Sequence, residues 1–262
     1  MRGFTAALWS EYLKARRSII LWITIVIFAF ISLMMGLFIY LAQHPELISN
    51  SAILNAKTSM LGQTDWPGYF ILLHQMGAIL GMIGFGFVFS WIFGREYSDR
   101  TLKDLLALPV SRVVIINAKL IIATIWSLIL AIILLTGGII SGRLVGIDGW
   151  SAELCRQAAC TFAGTILLTI FLCPPVAFFA SYGRGFLVPI GYLILIMMIT
   201  QFAVTAVPGI APYFPWAIPA LYSGAAGPES SQLGLVSYLI LAFTGFLGIA
   251  GTIAWWRYAD QK

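Results

Sequence analysis

Residues Arg95–Lys119 read REYSDRTLKDLLALPVSRVVIINAK. Glu96, Asp99 and Asp104 stand here beside Arg95, Arg100, Lys103, Arg112 and Lys119, in a chain of which only 10% is charged. The runs on either side, Tyr69–Gly94 and Leu120–Gly142, carry no charge. An apolar chain that gathers charge into one internal segment is expected to present that segment to a soluble partner.

The 262 residues are 60% hydrophobic. Soluble domains carry about 25% charged residues, so this composition excludes that class. Uncharged runs recur at Ser18–Gln43, Tyr69–Gly94, Leu120–Gly142, Gln157–Gly183, Gly185–Pro228 and Ser230–Trp256. A membrane span needs about 20 apolar residues. Gly185–Pro228 is too long for one span and too broken by proline for two. The reading is an all-α membrane protein, 1–262 forming one domain of six spans plus a partial insertion. The first run exceeds a signal-peptide core of about 7–15 residues and has no small-residue cleavage site after it, so it is expected to remain as the first span.

The net charge of +5 could suggest a nucleic-acid partner, but its distribution excludes one. With the N-terminus inside, only Lys57, Arg143 and Arg156 of the 15 Lys and Arg lie outside, whereas the acids divide evenly. Lys/Arg bias alone sets orientation. Both termini are therefore expected on the cytoplasmic side of the inner membrane. Cys155 and Cys160 are five apart on an expected helix and point to different faces. With Cys173 they read as small packing residues.

Residues 1–17 have Phe4, Leu8 and Tyr12 at four-residue spacing, with Trp9 and Leu13 adjoining and Lys14, Arg16 and Arg17 following. This suits a helix lying in the inner interface, or a plain positive flank of the first span. In the second span Gly77 and Gly81, then Gly84 and Gly86, allow close helix approach, within the bundle or between subunits. Pro174-Pro175 must break or kink the fourth span. Between 207 and 227, Pro208, Pro212, Pro215 and Pro219 alternate with Tyr213, Phe214, Trp216 and Tyr222. No straight span can form there, and non-helical backbone at membrane depth must be buried in protein or line water. Short re-entrant or interfacial helices on the outer face are expected. Trp255-Trp256 read as an aromatic belt, with Arg257 and Lys262 anchoring the tail.

Several chemistries are missing. No lysine follows a glycine, so no GxxxxGK[ST] loop exists and this chain does not hydrolyse ATP by that route. Ion-coupled transporters place ionisable groups within spans, but no Asp, Glu, Lys or Arg is expected in a span core. Lys119, near the inner end of the third span, can snorkel. His74, beside Gln75, reads as a polar packing contact. The two histidines, His44 and His74, lack metal-ligand spacing.

Read as a helix, Glu96–Leu108 gathers Tyr97, Thr101, Leu102, Leu105, Leu106 and Leu108 on one side, with Ser98, Asp99, Arg100, Lys103 and Asp104 on the other. Pro109 ends it, and Ser111 is placed to cap the third span. The alternative is a solvated loop, or a membrane-lying helix without a partner. The mixed charge argues against mere lipid binding, which favours basic faces.

This segment resembles the signature region of ABC transporter permeases of the type-2 exporter family. That pattern has an acid, then Thr-Leu, a Leu pair, Pro, Ser-Arg and a later Lys. The chain supplies Glu96, Thr101-Leu102, Leu105-Leu106, Pro109, Ser111-Arg112 and Lys119. Where many members have Gly before the Thr, it has Arg100. Trp9, Glu11 and Lys14, the six spans, the outer insertion and the size extend the likeness, which is strongest to small permease subunits of bacitracin-export and lantibiotic-immunity transporters.

The resemblance implies the membrane subunit of an ATP-driven exporter for an amphipathic substrate, a peptide antibiotic or a lipid-like molecule. Such a permease has no cofactor and is not an enzyme. It pairs with a second permease chain, identical or related, and with two P-loop ATPase subunits that carry ATP and Mg. Residues 95–109 would be the coupling helix, with Glu96, Tyr97, Arg100, Thr101, Leu102, Leu105 and Leu106 docking into the ATPase. Trp9, Glu11, Lys14, Arg16 and Arg17 would anchor the interfacial helix, and Pro208, Pro212, Pro215 and Pro219 would shape the outer re-entrant segment. Substrate would pass between permease chains along the first, second and fifth spans. The competing reading is a membrane anchor or assembly subunit that transports nothing. A neighbouring reading frame for a P-loop ATPase would favour the exporter.

Overall fold

The computed structural model describes residues 2–44, 46, 65–102, 105, 110–224 and 233–258. Its regular elements are helical. Helix α1 is Arg2–Arg16, α2 Ile19–Gln43, α3 Trp66–Ser98, α4 Arg112–Val145, α5 Ala152–Phe171, α6 Pro174–Tyr182, α7 Leu187–Ala206, α8 Ile218–Tyr222 and α9 Leu235–Tyr258. Six stretches are long and apolar enough to span a bilayer: α2, α3, α4, α5 with α6, α7 and α9. The protein is thus an all-helical bundle of six spans, as the uncharged runs predict.

Local chemistry fixes the helix ends. The Ser18 hydroxyl accepts from Ile20 N at 3.1 Å, Asp65 Oδ1 from Gly68 N at 3.0 Å and Ser151 Oγ from Leu154 N at 3.1 Å. Each satisfies an N–H that the first helical turn leaves without a partner. Ser111 caps α4 as its position predicts, its hydroxyl accepting from Val114 N at 3.4 Å. At the other end of α4, Gly146 closes the helix with φ of 75°, a left-handed conformation that costs glycine little.

Helix α4 packs most extensively against α2 and also against α1 and α3. Trp66, Tyr69, Leu73, Phe85, Phe89 and Phe93 of α3 meet Ile116, Trp126 and Leu130 of α4 in the core. Polar side chains within it bridge helices. Trp126 Nε1 donates to Thr24 Oγ1 at 3.1 Å, Ser141 Oγ to Ser32 O at 3.0 Å and the Tyr69 hydroxyl to Gly138 O at 2.9 Å. Lipid offers these groups no alternative partner. His74 is one of them, its Nε2 donating to the Ala158 carbonyl at 2.9 Å, which is the packing contact expected of it. The glycines of α3 serve packing within the chain: a Cβ on Gly77 would meet the Phe162 ring at 2.6 Å, and one on Gly84 the Phe28 ring at 2.4 Å.

The fourth span breaks where Pro174-Pro175 predict, leaving Leu172 and Cys173 between α5 and α6. Helix α6 packs closely on α9, where a Cβ on Gly248 would come within 2.4 Å of Pro175 N. After α7 the chain makes two short 3-10 turns, Ala211–Tyr213 and Pro215–Ala217, followed by α8. Ala211, Ala217, Ile218 and Leu221 are buried there, so the proline-rich segment is built of short helical pieces held by packing. Trp256 departs from the belt reading. It is fully buried, with Nε1 donating to Ser181 Oγ at 2.8 Å.

Candidate functional site

The charged segment opens on the last turn of α3. Glu96–Leu108 is not one helix. Helix α3 continues through Ser98, and the chain reverses at Asp99 and Arg100, where Arg100 has φ of +58°. Thr101 N then donates to the Glu96 carbonyl at 3.1 Å, and Thr101 Oγ1 to Glu96 Oε2 at 2.7 Å. Arg100 occupies the place where the related pattern has glycine, and its backbone adopts the conformation that glycine favours. Leu102 is buried and Leu105 half-buried against the main core. Lys103, Asp104, Leu106, Ala107, Leu108 and Pro109 lie outside the described residues, and with them six positions of the expected 95–109 helix.

Glu96 faces inward and is 1% exposed. Its Oε1 accepts from Lys119 Nζ at 2.8 Å and Lys14 Nζ at 2.9 Å. Lys119 is 0% exposed. Besides Glu96 it donates to Glu11 Oε2 at 3.0 Å and to the Ile92 carbonyl at 3.3 Å, which uses all three ammonium protons. Lys14 completes the ring, donating to Glu11 Oε1 at 3.0 Å. Lys119 therefore does not snorkel to the interface. Burying an isolated charge is prohibitive, but two acids and two lysines that satisfy one another make a neutral, fully hydrogen-bonded unit. Burial works against the charge on Lys14, yet Glu11 and Glu96 outweigh it and raise its pKa above the ordinary 10.5.

Three elements meet in this cluster: Glu11 and Lys14 from α1, Glu96 from α3 and Lys119 from α4. Arg95 borders it. Its guanidinium lies 4.7 Å over the Trp91 ring, and Nη2 is 3.9 Å from Glu96 Oε1. A cavity of about 210 Å³ adjoins, with Ala6, Ala7, Ser10 and Glu11 on one wall and Leu105, Val110 and Ile115 on the other. Arg112 ties the same region to the last span. Its Nη1 donates to the Trp256 carbonyl at 2.6 Å, a cation at the negative end of helix α9. Tyr97 stands edge-on to the Trp256 ring, with centroids 6.4 Å apart.

Of the residues expected to dock a partner, Arg100 and Thr101 are exposed, Tyr97 and Leu105 half-buried, and Glu96 and Leu102 buried. The expected interfacial anchors also divide. Trp9, Arg16 and Arg17 are exposed, while Glu11 is 5% exposed and Lys14 turns with it into the cluster. Phe4, Trp9 and Tyr12 point away from the bundle, so α1 buries its Glu11–Ala15 face and leaves its aromatic face outward. The cluster itself was missed. The one signal for it is Lys119, two turns inside an apolar helix, since an ionisable residue within a span implies a buried partner.

Residues 7–203 match the family model described as ABC-2 family transporter protein. The chain belongs to this family, and is a multi-pass membrane permease of the ABC transporter type, a class that works with ATPase subunits. Over 198 residues, 75% of this chain and 90% of the relative, it is 29% identical to the bacitracin transport permease protein BCRB of Bacillus licheniformis. No solved structure matches it. The region matched by the family model contains the whole ion cluster, the first four spans and all but the end of the fifth.

Proposed function

We propose that the chain is the transmembrane subunit of an ATP-driven exporter in the cytoplasmic membrane, with both termini inside. It moves an amphipathic substrate, a peptide antibiotic or a lipid-like molecule. Two P-loop ATPase subunits carry the ATP and Mg, and a second permease chain, identical or related, completes the path. The bacitracin transport permease among its relatives makes bacitracin the first substrate to try.

The observation that carries this reading is the buried cluster of Glu11, Lys14, Glu96 and Lys119. It fastens α1, the end of α3 and the start of α4 into one body beside the exposed Arg100 and Thr101. A push on Arg100 and Thr101 reaches the second and third spans through Glu96 and the cluster it joins. Leu105 and Arg100 make the contact with the ATPase in this reading, and Glu96 transmits the force.

The test co-expresses the chain with P-loop ATPases from its neighbouring reading frames and follows association and ATP-dependent bacitracin export. Arg100→Glu with Leu105→Asp should keep membrane insertion and lose ATPase co-purification and export. Full association with full export in that variant would overturn the docking assignment. ATPase association in the wild type without ATP-dependent movement of any amphiphile would support the anchoring role instead.

A further inference from the structure

A cavity of about 590 Å³ opens between α3, the α5–α6 break, α7, the second 3-10 turn and α8. It lies at the second, fourth and fifth spans, without the first. Ala78 and Met82 form one wall, Cys173 and Val176 another, and Leu193 and Met197 a third, while Trp216 and Pro219 close the end beyond α7. At its rim Ile79, Met198 and Phe202 are exposed on lipid-length helices. The opening therefore faces the bilayer.

Shape narrows the occupant. The α7 wall runs from Leu193 to Thr205, which is about 18 Å at the helical rise. An extended hydrocarbon chain of that length lies along such an apolar wall and leaves no backbone N–H or C=O unsatisfied there, as a peptide strand would. Met82, Met197 and Met198 give a wall that adapts to a flexible chain. Bilayer tails are as apolar as the wall, so apolar transfer alone confers no preference for this slot, and selectivity must come from packing and from a polar contact. Thr169 and Thr205, on the wall, spend their hydroxyls on their own helices, on Thr165 O at 2.8 Å and Gln201 O at 2.7 Å. Thr200, also on the wall, has a buried hydroxyl without a hydrogen-bond partner. That leaves one donor on the wall for a ligand oxygen.

We infer that this slot binds the single alkyl chain of a membrane amphiphile entering sideways from the bilayer, with Thr200 donating to an oxygen on that chain or at its junction with the headgroup. The inference rests on the export reading only in taking this amphiphile as the cargo class; the site stands without it.

The experiment uses the purified full-length chain in phosphatidylcholine nanodiscs, without ATP, and a diazirine-bearing C16 monoacyl glycerol as photoprobe. Labelled peptides are mapped by mass spectrometry. Labelling is expected to concentrate on 76–84 and 193–205. Ala220→Phe, which fills the slot from the short-helix side, should lower labelling there about tenfold, with the labelling of α2 unchanged. Thr200→Val should weaken labelling by the glycerol ester and leave labelling by a C16 diazirine hydrocarbon unaltered. Labelling spread evenly over α2, α7 and α9, or unaffected by Ala220→Phe, would overturn the site. Equal loss of both probes in Thr200→Val would overturn the role of its hydroxyl. Failure here leaves ATPase coupling intact, because no ATPase is present. Failure of coupling would in turn leave the labelling pattern as it is.

Discussion

Lys119 stands two turns inside α4, past Ser111, and is fully enclosed. From the sequence it looked able to reach the water, being the first charge at the end of an apolar run. What holds it inward are two carboxylates at sequence separations of 108 and 23 residues. Periodicity reports the face of one helix; it carries nothing about which distant residue comes to meet that face. Glu11 and Lys14, three apart, could be read as a pair on α1, but not as half of a ring. The ring's economy makes its members unequal to neutral polar residues. Lys119→Met leaves Glu11 and Glu96 buried against each other with Lys14 alone between them. It is expected to cost about 3–5 kcal/mol, the usual price of breaking a buried ionic group from one side. Thermal unfolding in detergent measures it, and adding Glu11→Gln should recover part of the loss by removing the excess negative charge. A fall in stability below about 1 kcal/mol would mean that the cluster behaves as a surface ion pair.

Ends and breaks of helices were the most legible elements. Ser111 and Pro174-Pro175 act within a residue or two of themselves, through a side-chain oxygen or a missing N–H, so the sequence states them outright. The Glu96–Leu108 helix misled for a complementary reason. Its apolar spacing grouped Leu102 and Leu105 as a face for a partner, whereas both turn toward the chain's own core, and spacing is silent on whether one helix ends before the next begins. The α3 ladder runs on because Glu96 finds its cations there, and it then closes through Thr101. Arg100 carries the turn with φ of +58°, where a side chain costs roughly 1–2 kcal/mol relative to a right-handed conformation. Arg100→Gly is therefore expected to raise the unfolding midpoint, and Arg100→Val to lower it, with Glu96 and Thr101 untouched. If the two substitutions change the midpoint in the same direction, backbone strain at this turn is not what distinguishes them.

The six-span layout could be read off the uncharged runs because bilayer thickness fixes span length. The order of helices around the core could not, and neither could the slot, which is made by residues from 78 to 220. Long-range contact also joins the charged segment to the rest. Arg112 holds the Trp256 carbonyl, Trp256 holds Ser181 through its indole N–H, and Ser181 lies in the last turn of α6. Hydrogen bonds thus join the segment to the α6 half of the fourth span by way of the last span. Both halves pack on α3, but beyond it the α5 half meets chiefly α8 and the α6 half chiefly α9. Two prolines without N–H donors leave little backbone hydrogen bonding to keep the halves collinear. We predict that the fourth span bends there as a knee, and Leu172, Cys173 and Val176, which flank the break, are also wall residues of the slot. Spin labels at Tyr182 and Arg156, each measured against one on α3, should show the first distance change on nucleotide binding to the assembled transporter while the second stays fixed. Equal changes would mean a rigid span. With a knee, the same bend that passes thrust from one leaflet toward the other alters the girth of the slot, so loosening a bound tail requires no separate gate.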